Sequence, residues 1–571
     1  MFPTPENEEF YASQPYSRLS HDNKTIRLLK VFPDDGTGRI KCSLLPAVQL
    51  DQVAGKYSAL SYCAGDPNNR DTILVNGIKF NAFANLRHAL GEVRDFWRKT
   101  GNDANEDLIL WTDQICIDQF NMSERSHQVG FMKDIYQQAA QVLVCLSTSK
   151  GNPRGMEWLL QLTSEVPPYH DDLDLKSNKQ TSTCDSDDDD WDLEPESDHF
   201  DRLVTHIRYR MGDEKFIRGW LAFYDVVESP WWSRAWIVQE FIVASRLHFL
   251  YRRRFGSWDN IAPILKSFCC VHDDLLTNRD VLLRYNEDKE YVLNGLKDRN
   301  VCRILQRIER GNSQAAIETI LFLVIQKLTW NGTMDLVSLL SHARYCSTSD
   351  LRDRVYAFLG LGDPNYQIIP DYSQSLEQVL IHTTRRIIEF QDSLQILALA
   401  VASPKRPGST LPSWVVDWTE KELGNMRDDH LSIDEFSLSK TQADASFTTT
   451  TNSYHVGGCV SLAVWGSFLG TLDIYVPDST CIPQESRFFR SFQTAEGLHV
   501  LCSSAARVHD QVWVLTGSQC PLILRRAGKI YRLISSVHLM PQLELPLAET
   551  MAALIQQAEY LQGGRQRIMI V

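Results

Sequence analysis

Three short apolar runs, each followed at once by polar side chains, constrain the fold of this chain more than any other feature. They read YSALSYCAGD at residues 57–66, LWTDQICIDQ at 110–119 and SPWWSRAWIVQEF at 229–241. In an open α/β sheet, the groups that contact a ligand stand at the carboxyl ends of the strands, where neighbouring strands meet. The three segments therefore predict one polar cleft built from distant parts of the chain.

Strand and helix patterns alternate over residues 51–150. Amphipathic segments predict helices, the first of which begins after Asn85. Continuous apolar runs between them are typical of strands buried on both faces, as in a parallel sheet. These runs lie at 58–62, 108–112 and 142–146. The face predicted to be buried on the first helix comprises Leu86, Leu90, Val93 and Trp97.

A β-hairpin is predicted at residues 73–80, where Asn76-Gly77 separates two short apolar runs. Asn-Gly supplies the positive φ angles that a tight primed turn requires. Together with the alternating pattern, this hairpin predicts an α/β domain. We expect a parallel sheet with right-handed crossovers and one hairpin insertion.

The chain is long enough for several domains, since 571 residues exceed the size at which one core keeps growing. Residues 1–50 are interpreted as a leader and 51–250 as the α/β domain. A strongly acidic stretch at 170–200 has too few aliphatic residues to bury a core, so it is predicted to be a disordered insertion. A mainly helical region follows at 251–405, and short alternating runs bounded by glycine predict a β-rich domain at 406–571.

Composition argues against several classes of function. The net charge of −14 disfavours nucleic-acid binding, which needs clustered lysine and arginine. No apolar run reaches the roughly 18 residues of a membrane helix, and the amino terminus lacks the pattern of a signal peptide. The 13 cysteines show no metal-like spacing, so reduced thiols and a cytoplasmic location are expected, with no metal and no cofactor.

Taken in order, the three segments resemble the heterokaryon-incompatibility (HET) domain of filamentous fungi. The matching motifs are A-L-S-Y at 59–62, L-W-T-D at 110–113 with E-R-x-x-Q-V at 124–129, and W-S-R-A-W-I-V-Q-E at 232–240. Ala64 stands where the family usually has tryptophan, which removes a large aromatic side chain beside the predicted cleft. Further motifs at 350–361, 370–373 and 411–414 also occur in many large HET proteins.

The resemblance implies a function in fungal nonself recognition, in which activation of the domain leads to programmed cell death. The HET domain is similar to the Toll/interleukin-1 receptor (TIR) domain, a flavodoxin-like layer of parallel strands and helices. Trp236-Ile237-Val238-Gln239-Glu240 resembles the Trp-x-x-x-Glu helix of TIR domains. Enzymatic TIR domains use that glutamate to break the nicotinamide–ribose bond of NAD. The resemblance therefore implies Glu240 as the catalytic carboxylate and NAD as the substrate.

The chemistry of this reaction suggests roles for the other polar residues. A carboxylate beside the ribose stabilises an oxocarbenium-like transition state, and a guanidinium such as Arg234 matches a pyrophosphate. The predicted substrate-binding residues are Ser61, Asp66, Asp113, Arg234 and Trp236. Structural alternatives stay open: Trp236 as a core residue, Arg234 as an ion-pair partner of Glu240, and Asp113 as the cap of a turn.

Two classes of function are consistent with the sequence. In the first, the domain hydrolyses NAD or a related nucleotide. In the second, it is a non-enzymatic interaction module, and the helical and β-rich regions determine its partner. Under either hypothesis the expected protein partner is a component of an incompatibility system or a second copy of the chain.

Overall fold

A computed structural model describes residues 7–19, 23–100, 107–148, 153–168, 198–277, 303–308, 313–402, 405–406, 408–420, 445–450, 459–476, 489–518, 520–539, 555–556, 560 and 564–571. The chain divides into two compact units, Met1–Thr333 and Met334–Val571. Apart from residues 198–200, the acidic insertion predicted at 170–200 lies outside the described residues.

Unit 1 contains a nine-stranded sheet and a separate pair of short strands. Its strands are β1 Thr25–Ile26, β2 Leu29–Val31, β3 Lys41–Leu44, β4 Val48–Gln49, β5 Ser58–Tyr62, β6 Arg70–Val75, β7 Ile78–Phe83, β8 Leu108–Trp111, β9 Gln141–Cys145, β10 Leu247–Tyr251 and β11 Arg254–Ser257. Its helices are α1 Glu8–Ala12, α2 Ala84–Lys99, α3 Asp113–Cys116, α4 Met122–Gly130, α5 Met132–Gln137, α6 Arg154–Glu165, α7 Asp198–Arg210, α8 Glu214–Val227, α9 Ile237–Ile242, α10 Trp258–Thr277 and α11 Ser313–Thr329.

The sheet is mixed, whereas the sequence predicted a parallel one. Its order is β11-β10-β9-β5-β8-β2-β3-β6-β7. The central strands β8, β5, β9 and β10 run parallel, but β2 pairs antiparallel with β8 and β11 with β10. Because β5 is the first of the four parallel strands and lies between the second and third, the direction of winding reverses beside it. Two strands from the predicted leader, β2 and β3, are part of this sheet.

The predicted hairpin is present as β6 and β7, which pair antiparallel from Val75–Ile78 outward. Asn76 and Gly77 both have positive φ angles, 53° and 79°, as the primed turn requires. At the outer strand β7, the buried side chain of Asn7 accepts a hydrogen bond from Asn81 N (2.7 Å) and donates one to Asn81 O (3.3 Å). One amide side chain thus occupies the place of a neighbouring strand.

Burial follows the predicted periodicity in β5 and, with one exception, in α2. All five residues of β5 are buried, as expected for a strand covered on both faces. In α2, Leu86, Leu90 and Val93 are in the core, but Phe96 is buried where Trp97 was predicted. The buried face continues from Val93 by three residues to Phe96, and Trp97 is half-buried.

A buried ion pair ties the start of the chain to α4. Arg27 is 1% exposed and Glu124 is 6% exposed, and their side chains form two hydrogen bonds of 2.7 and 2.9 Å. Glu124 also accepts a hydrogen bond from Asp118 N at 2.7 Å. Glu124 lies in the first turn of α4, and Asn121 caps that turn. The Glu124 carboxylate additionally organises the loop that precedes the helix.

Unit 2 is helical at first and β-rich afterwards, as predicted. Its helices are α12 Leu336–Ala343, α13 Asp353–Leu359, α14 Leu376–Gln391 and α15 Ile396–Ala402. Its strands are β12 Ser446–Thr450, β13 Cys459–Val476, β14 Phe489–Thr494, β15 His499–Ser503, β16 Gln511–Leu515, β17 Leu522–Ala527, β18 Ile530–Leu539 and β19 Gln566–Ile570. Because β16 pairs with both β17 and β13, the strands from β13 to β18 close into a ring.

The later motifs of the sequence hold unit 2 together. Arg352 pairs with Asp350 (2.8 Å) and donates to the carbonyls of Tyr372 and Gln374 at 2.7 and 2.8 Å. The hydroxyl of Tyr372 donates to Asp353 at 2.5 Å. Residues 411–418 form buried turns, although their alternation resembled a strand. Among the described residues, no helix combines the length and apolarity needed to cross a membrane.

Candidate functional site

Ser61 and Glu240, 179 positions apart in the sequence, are in direct contact. Ser61 is the penultimate residue of β5 and is 1% exposed, whereas Glu240 lies in α9 and is 3% exposed. The Ser61 hydroxyl donates a hydrogen bond to Glu240 Oε2. Trp231 Nε1 in turn donates to Ser61 Oγ at 2.7 Å, so the serine hydrogen is directed at the carboxyl group. Residues of the first and third segments therefore meet in a buried polar pair.

Two further side chains surround this pair. Tyr136 on α5 lies 3.2 Å from the carbonyl of Leu60 and also hydrogen-bonds the Glu240 carboxyl group. Arg234 is half-buried and donates to the carbonyl of Tyr62, the last residue of β5. The end of β5 is thus enclosed by a phenol, a guanidinium and a carboxyl group.

Burial raises the pKa of Glu240 from 4.5 to about 7. The positive charge of Arg234 and the hydrogen bond from Ser61 lower this pKa, and the negative charge of Asp113 raises it, but the loss of water is the largest effect. Near neutral pH the group populates both its protonated and its ionised form. A carboxyl group in that condition can transfer a proton or stabilise a developing positive charge.

Asp113 faces the same site from the end of β8. It is half-buried, and its Oδ1 accepts a hydrogen bond from Gln114 N at 2.7 Å at the start of α3. Its charge also raises the pKa values of Tyr62, Tyr136 and Glu240. Asp113 therefore makes the local turn contact expected of a capping residue, and its charge also acts on the site, as expected of a substrate-binding residue.

The structure places the other two predicted residues differently. Asp66 is exposed in the loop after β5, where it accepts a hydrogen bond from Asn68 N at 2.8 Å, a local turn contact. Trp236 is half-buried immediately before α9. Trp231, not Trp236, places its indole against Ser61. Sequence reasoning missed this role because the third segment contains three tryptophans, and spacing alone favoured the one four residues before Glu240.

Tyr62 and Tyr136 were also missed as site residues. Tyr62 belongs to the first of the three segments and Tyr136 lies outside all of them, but each has the pattern of a core position in its strand or helix. Their burial is extensive, and it raises both pKa values well above 10.0, so both phenols stay protonated. Burial likewise raises the pKa of Cys116 to about 12, which disfavours a thiol nucleophile there. In the described part of the chain, no group of three or more His, Cys, Asp or Glu residues could hold a metal ion.

Comparisons with known proteins agree with the resemblance to the HET domain. Residues 57–240 match the family model described as Heterokaryon incompatibility protein (HET). A similar curated protein is Heterokaryon incompatibility protein 6, OR allele, of Neurospora crassa, with 26% identity over 448 residues. The aligned region covers 70% of this chain and 58% of that relative. No solved structure matches the chain.

Proposed function

We propose that this chain is a heterokaryon-incompatibility-type protein of fungal nonself recognition, and that the site around Glu240 hydrolyses NAD on the way to cell death. The observation that carries the proposal is the contact between Ser61 and Glu240, because it joins both ends of the HET match, 57–240, in one polar site. The order of the parallel strands, β8-β5-β9-β10, supports a flavodoxin-like and hence TIR-like relationship.

The proposed reaction breaks the bond between the ribose anomeric carbon and the nicotinamide nitrogen. The bonding electrons pass to that nitrogen and neutralise its positive charge, while the ribose acquires oxocarbenium character. Ionised Glu240 stabilises this charge and accepts a proton from the water that adds to the anomeric carbon. The products are nicotinamide, ADP-ribose and one proton. Arg234 and Asp113 are available to bind other parts of the substrate.

The test is the loss of NAD in the presence of the purified full-length chain, both free and forced to self-associate. We expect Glu240→Gln to reduce turnover by about 100-fold or more, as found for the loss of one preorganised charged or polar group. Glu165→Gln, a change at a partly exposed ion pair, is the matched control and should keep full turnover. Ala64→Trp, which restores the family residue, should not reduce it. Equal turnover by wild type and Glu240→Gln, or none by wild type, would contradict the hydrolase.

A non-enzymatic module is the second candidate, and the burial of Glu240 favours it. With 3% exposure, this carboxyl group has the environment of a structural network as well as that of a closed active site. Under this hypothesis the helical and β-rich regions, 251–571, determine the choice of partner. Expression of wild type and Glu240→Gln in a fungal host separates the two functions, since a module would cause cell death in both cases.

A further inference from the structure

The helix α2 begins without a side-chain cap. It is 16 residues long, the residue before it is Phe83, and its first turn contains no acidic residue. Ala84 N donates to Asn69 O at 3.0 Å, which accounts for the first amide. The next N–H groups of a helix start have no intrahelical acceptor and carry a partial positive charge. A helix start of this kind favours an acceptor or an anion.

Gln114 provides a second, independent observation at the same place. It is 3% exposed, and its Oε1 accepts from Phe83 N at 3.4 Å and lies 3.5 Å from the hydroxyl of Tyr62. Because Phe83 N is a donor, the atom of the Gln114 amide that faces it must be the oxygen, and Nε2 is therefore on the other side of the amide. Nε2 has no hydrogen-bond partner among the described residues. A buried donor without an acceptor is unfavourable, so a ligand acceptor there would be stabilising.

The loop after β5 passes close to the same helix start. Asn85 Nδ2 donates to Cys63 O at 2.9 Å, and Gly65 has a φ of 78°. A Cβ added to Gly65 would lie 2.5 Å from Asn85 Nδ2. The start of α2 is therefore held at the carboxyl end of β5, beside the point where the winding of the sheet reverses. Open α/β sheets bind ligands in the crevice at such a point.

The charges around this place are both positive and negative. Arg234 reaches the carbonyl of Tyr62, and Arg87 on α2 pairs with Asp71 at 3.3 Å. Asp113 is the nearby carboxylate, and its Oδ1 is held by Gln114 N at 2.7 Å. An anion here therefore depends on directed hydrogen bonds more than on excess positive charge.

We propose that this place binds a phosphate group, which accepts hydrogen bonds from the first-turn N–H groups of α2 and from Gln114 Nε2. The identification of that phosphate as part of a nucleotide rests on the proposed function, whereas the phosphate site itself does not. The ribose next to such a phosphate would extend along the end of β5 toward Ser61 and Glu240, two groups that already meet there.

The test measures binding of pyrophosphate, AMP and adenosine to the full-length chain by calorimetry. Gln114→Glu keeps an oxygen for Phe83 N and replaces the donor by a second, negatively charged oxygen. We expect it to weaken binding of pyrophosphate and AMP at least tenfold. Gln52→Glu, the same charge change at an exposed residue of unit 1, should bind both as wild type does. Gly65→Ala, which reduces the space beside Asn85 at the start of α2, is the second variant and should also weaken binding of both.

Three results would overturn the phosphate site: no binding of pyrophosphate or AMP by wild type, unchanged binding by both variants, or binding of adenosine as strong as that of AMP. The outcome does not depend on NAD turnover. Binding that Gln114→Glu weakens would support the phosphate site even if wild type hydrolysed no NAD. Turnover that both variants left intact, together with unchanged pyrophosphate binding, would remove the phosphate site and leave the hydrolase.

Discussion

At the scale of single residues, burial places the Glu240 carboxyl group in an environment unlike water, with consequences for its chemistry. Its neighbours Ser61, Tyr136 and Arg234 all favour the ionised form, yet burial still raises its pKa to about 7. A change in ligand or assembly that admits water would therefore lower the pKa and increase the ionised fraction at neutral pH. Access of solvent is thus a means of regulating this carboxyl group.

The raised pKa of Glu240 makes the stability of the fold depend on pH. Because the folded-state pKa of about 7 exceeds the ordinary 4.5, the contribution of the neutral group is fully present below pH 4.5 and is lost as pH rises through 7. The shift corresponds to about 3 kcal/mol. Glu240→Gln, which stays neutral, should gain in melting temperature relative to wild type between pH 5 and pH 8. A difference in melting temperature that did not change with pH would contradict the raised pKa.

The sequence was more informative about which residues lie near Glu240 than about the direction of their side chains. Ser61 and Asp113 lie at or just after the end of a strand, Arg234 lies in the turn before α9, and Glu240 lies in α9 itself. Asp66 is exposed, since three more residues of loop after Cys63 carry it into solvent. Whether Trp231 or Trp236 contacts Ser61 depends on the geometry of the turn before α9, which the spacing of residues in the sequence does not predict.

At the scale of elements, the short helix α9 depends on a neighbour. It has only six residues, too few to be stable on its own. Lys327 near the end of α11 donates to the carbonyls of Phe241, Ile242 and Ala244 at 2.9, 3.3 and 2.8 Å. A cation at a helix carboxyl terminus satisfies acceptors that the helix leaves open and complements its dipole. Lys327 therefore holds the helix that carries Glu240.

Lys327→Met should lower the free energy of unfolding by about 1–3 kcal/mol, because it leaves three carbonyls without their donor. Hydrogen exchange of the α9 amides should increase more than that of β5. Lys327→Arg should restore part of the protection. Lys99→Met is the matched control: Lys327 lies over the ring of Phe241 and Lys99 over that of Phe255, but Lys99 donates to a single carbonyl. Equal exchange of α9 in Lys327→Met and wild type would show that the cap is dispensable.

Among the larger elements, the hairpin and the buried strands were predictable, but the mixed sheet was not. Asn76-Gly77 determines its turn through local φ preferences. The pairing of β2 with β8 joins residues about 80 positions apart, and neither strand's short apolar run states the direction of its neighbour. Register between distant strands is fixed by packing that the pattern of one strand does not contain.

At the scale of the whole molecule, unit 1 extends beyond the region that matches the HET family on both sides. The match spans residues 57–240. Arg27 lies before it and pairs with Glu124 within it, whereas Lys327 lies after it and contacts the carboxyl end of α9, a helix that begins within the match. The sequence predicted a boundary after residue 250, where the mainly helical pattern begins. The compact unit continues to Thr333, because α11 packs on elements of the matched region.

A fragment of residues 1–333 should therefore unfold cooperatively, and a fragment of residues 57–240 should not. In the shorter fragment Glu124 remains without Arg27, and loss of one partner of a buried ion pair costs about 3–5 kcal/mol. Urea denaturation followed by tryptophan fluorescence measures the difference. In the full chain, Arg27→Met alone should destabilise more than Arg27→Met combined with Glu124→Gln. A cooperative transition in the 57–240 fragment would show that the Arg27–Glu124 ion pair is not needed for folding.

The amide of Asn7 at the margin of the large sheet bears on how copies of this molecule could associate. The Asn7 side chain forms hydrogen bonds with both the N–H and the C=O of Asn81. A peptide from another chain would need those two groups to pair with β7 as a further strand. Pairing of another chain with β7 would first require the segment that contains Asn7 to dissociate from this edge of the sheet. At Asn81 the side chain of Asn7 therefore opposes the addition of a further strand, and α1, which packs against β7, lies beside it.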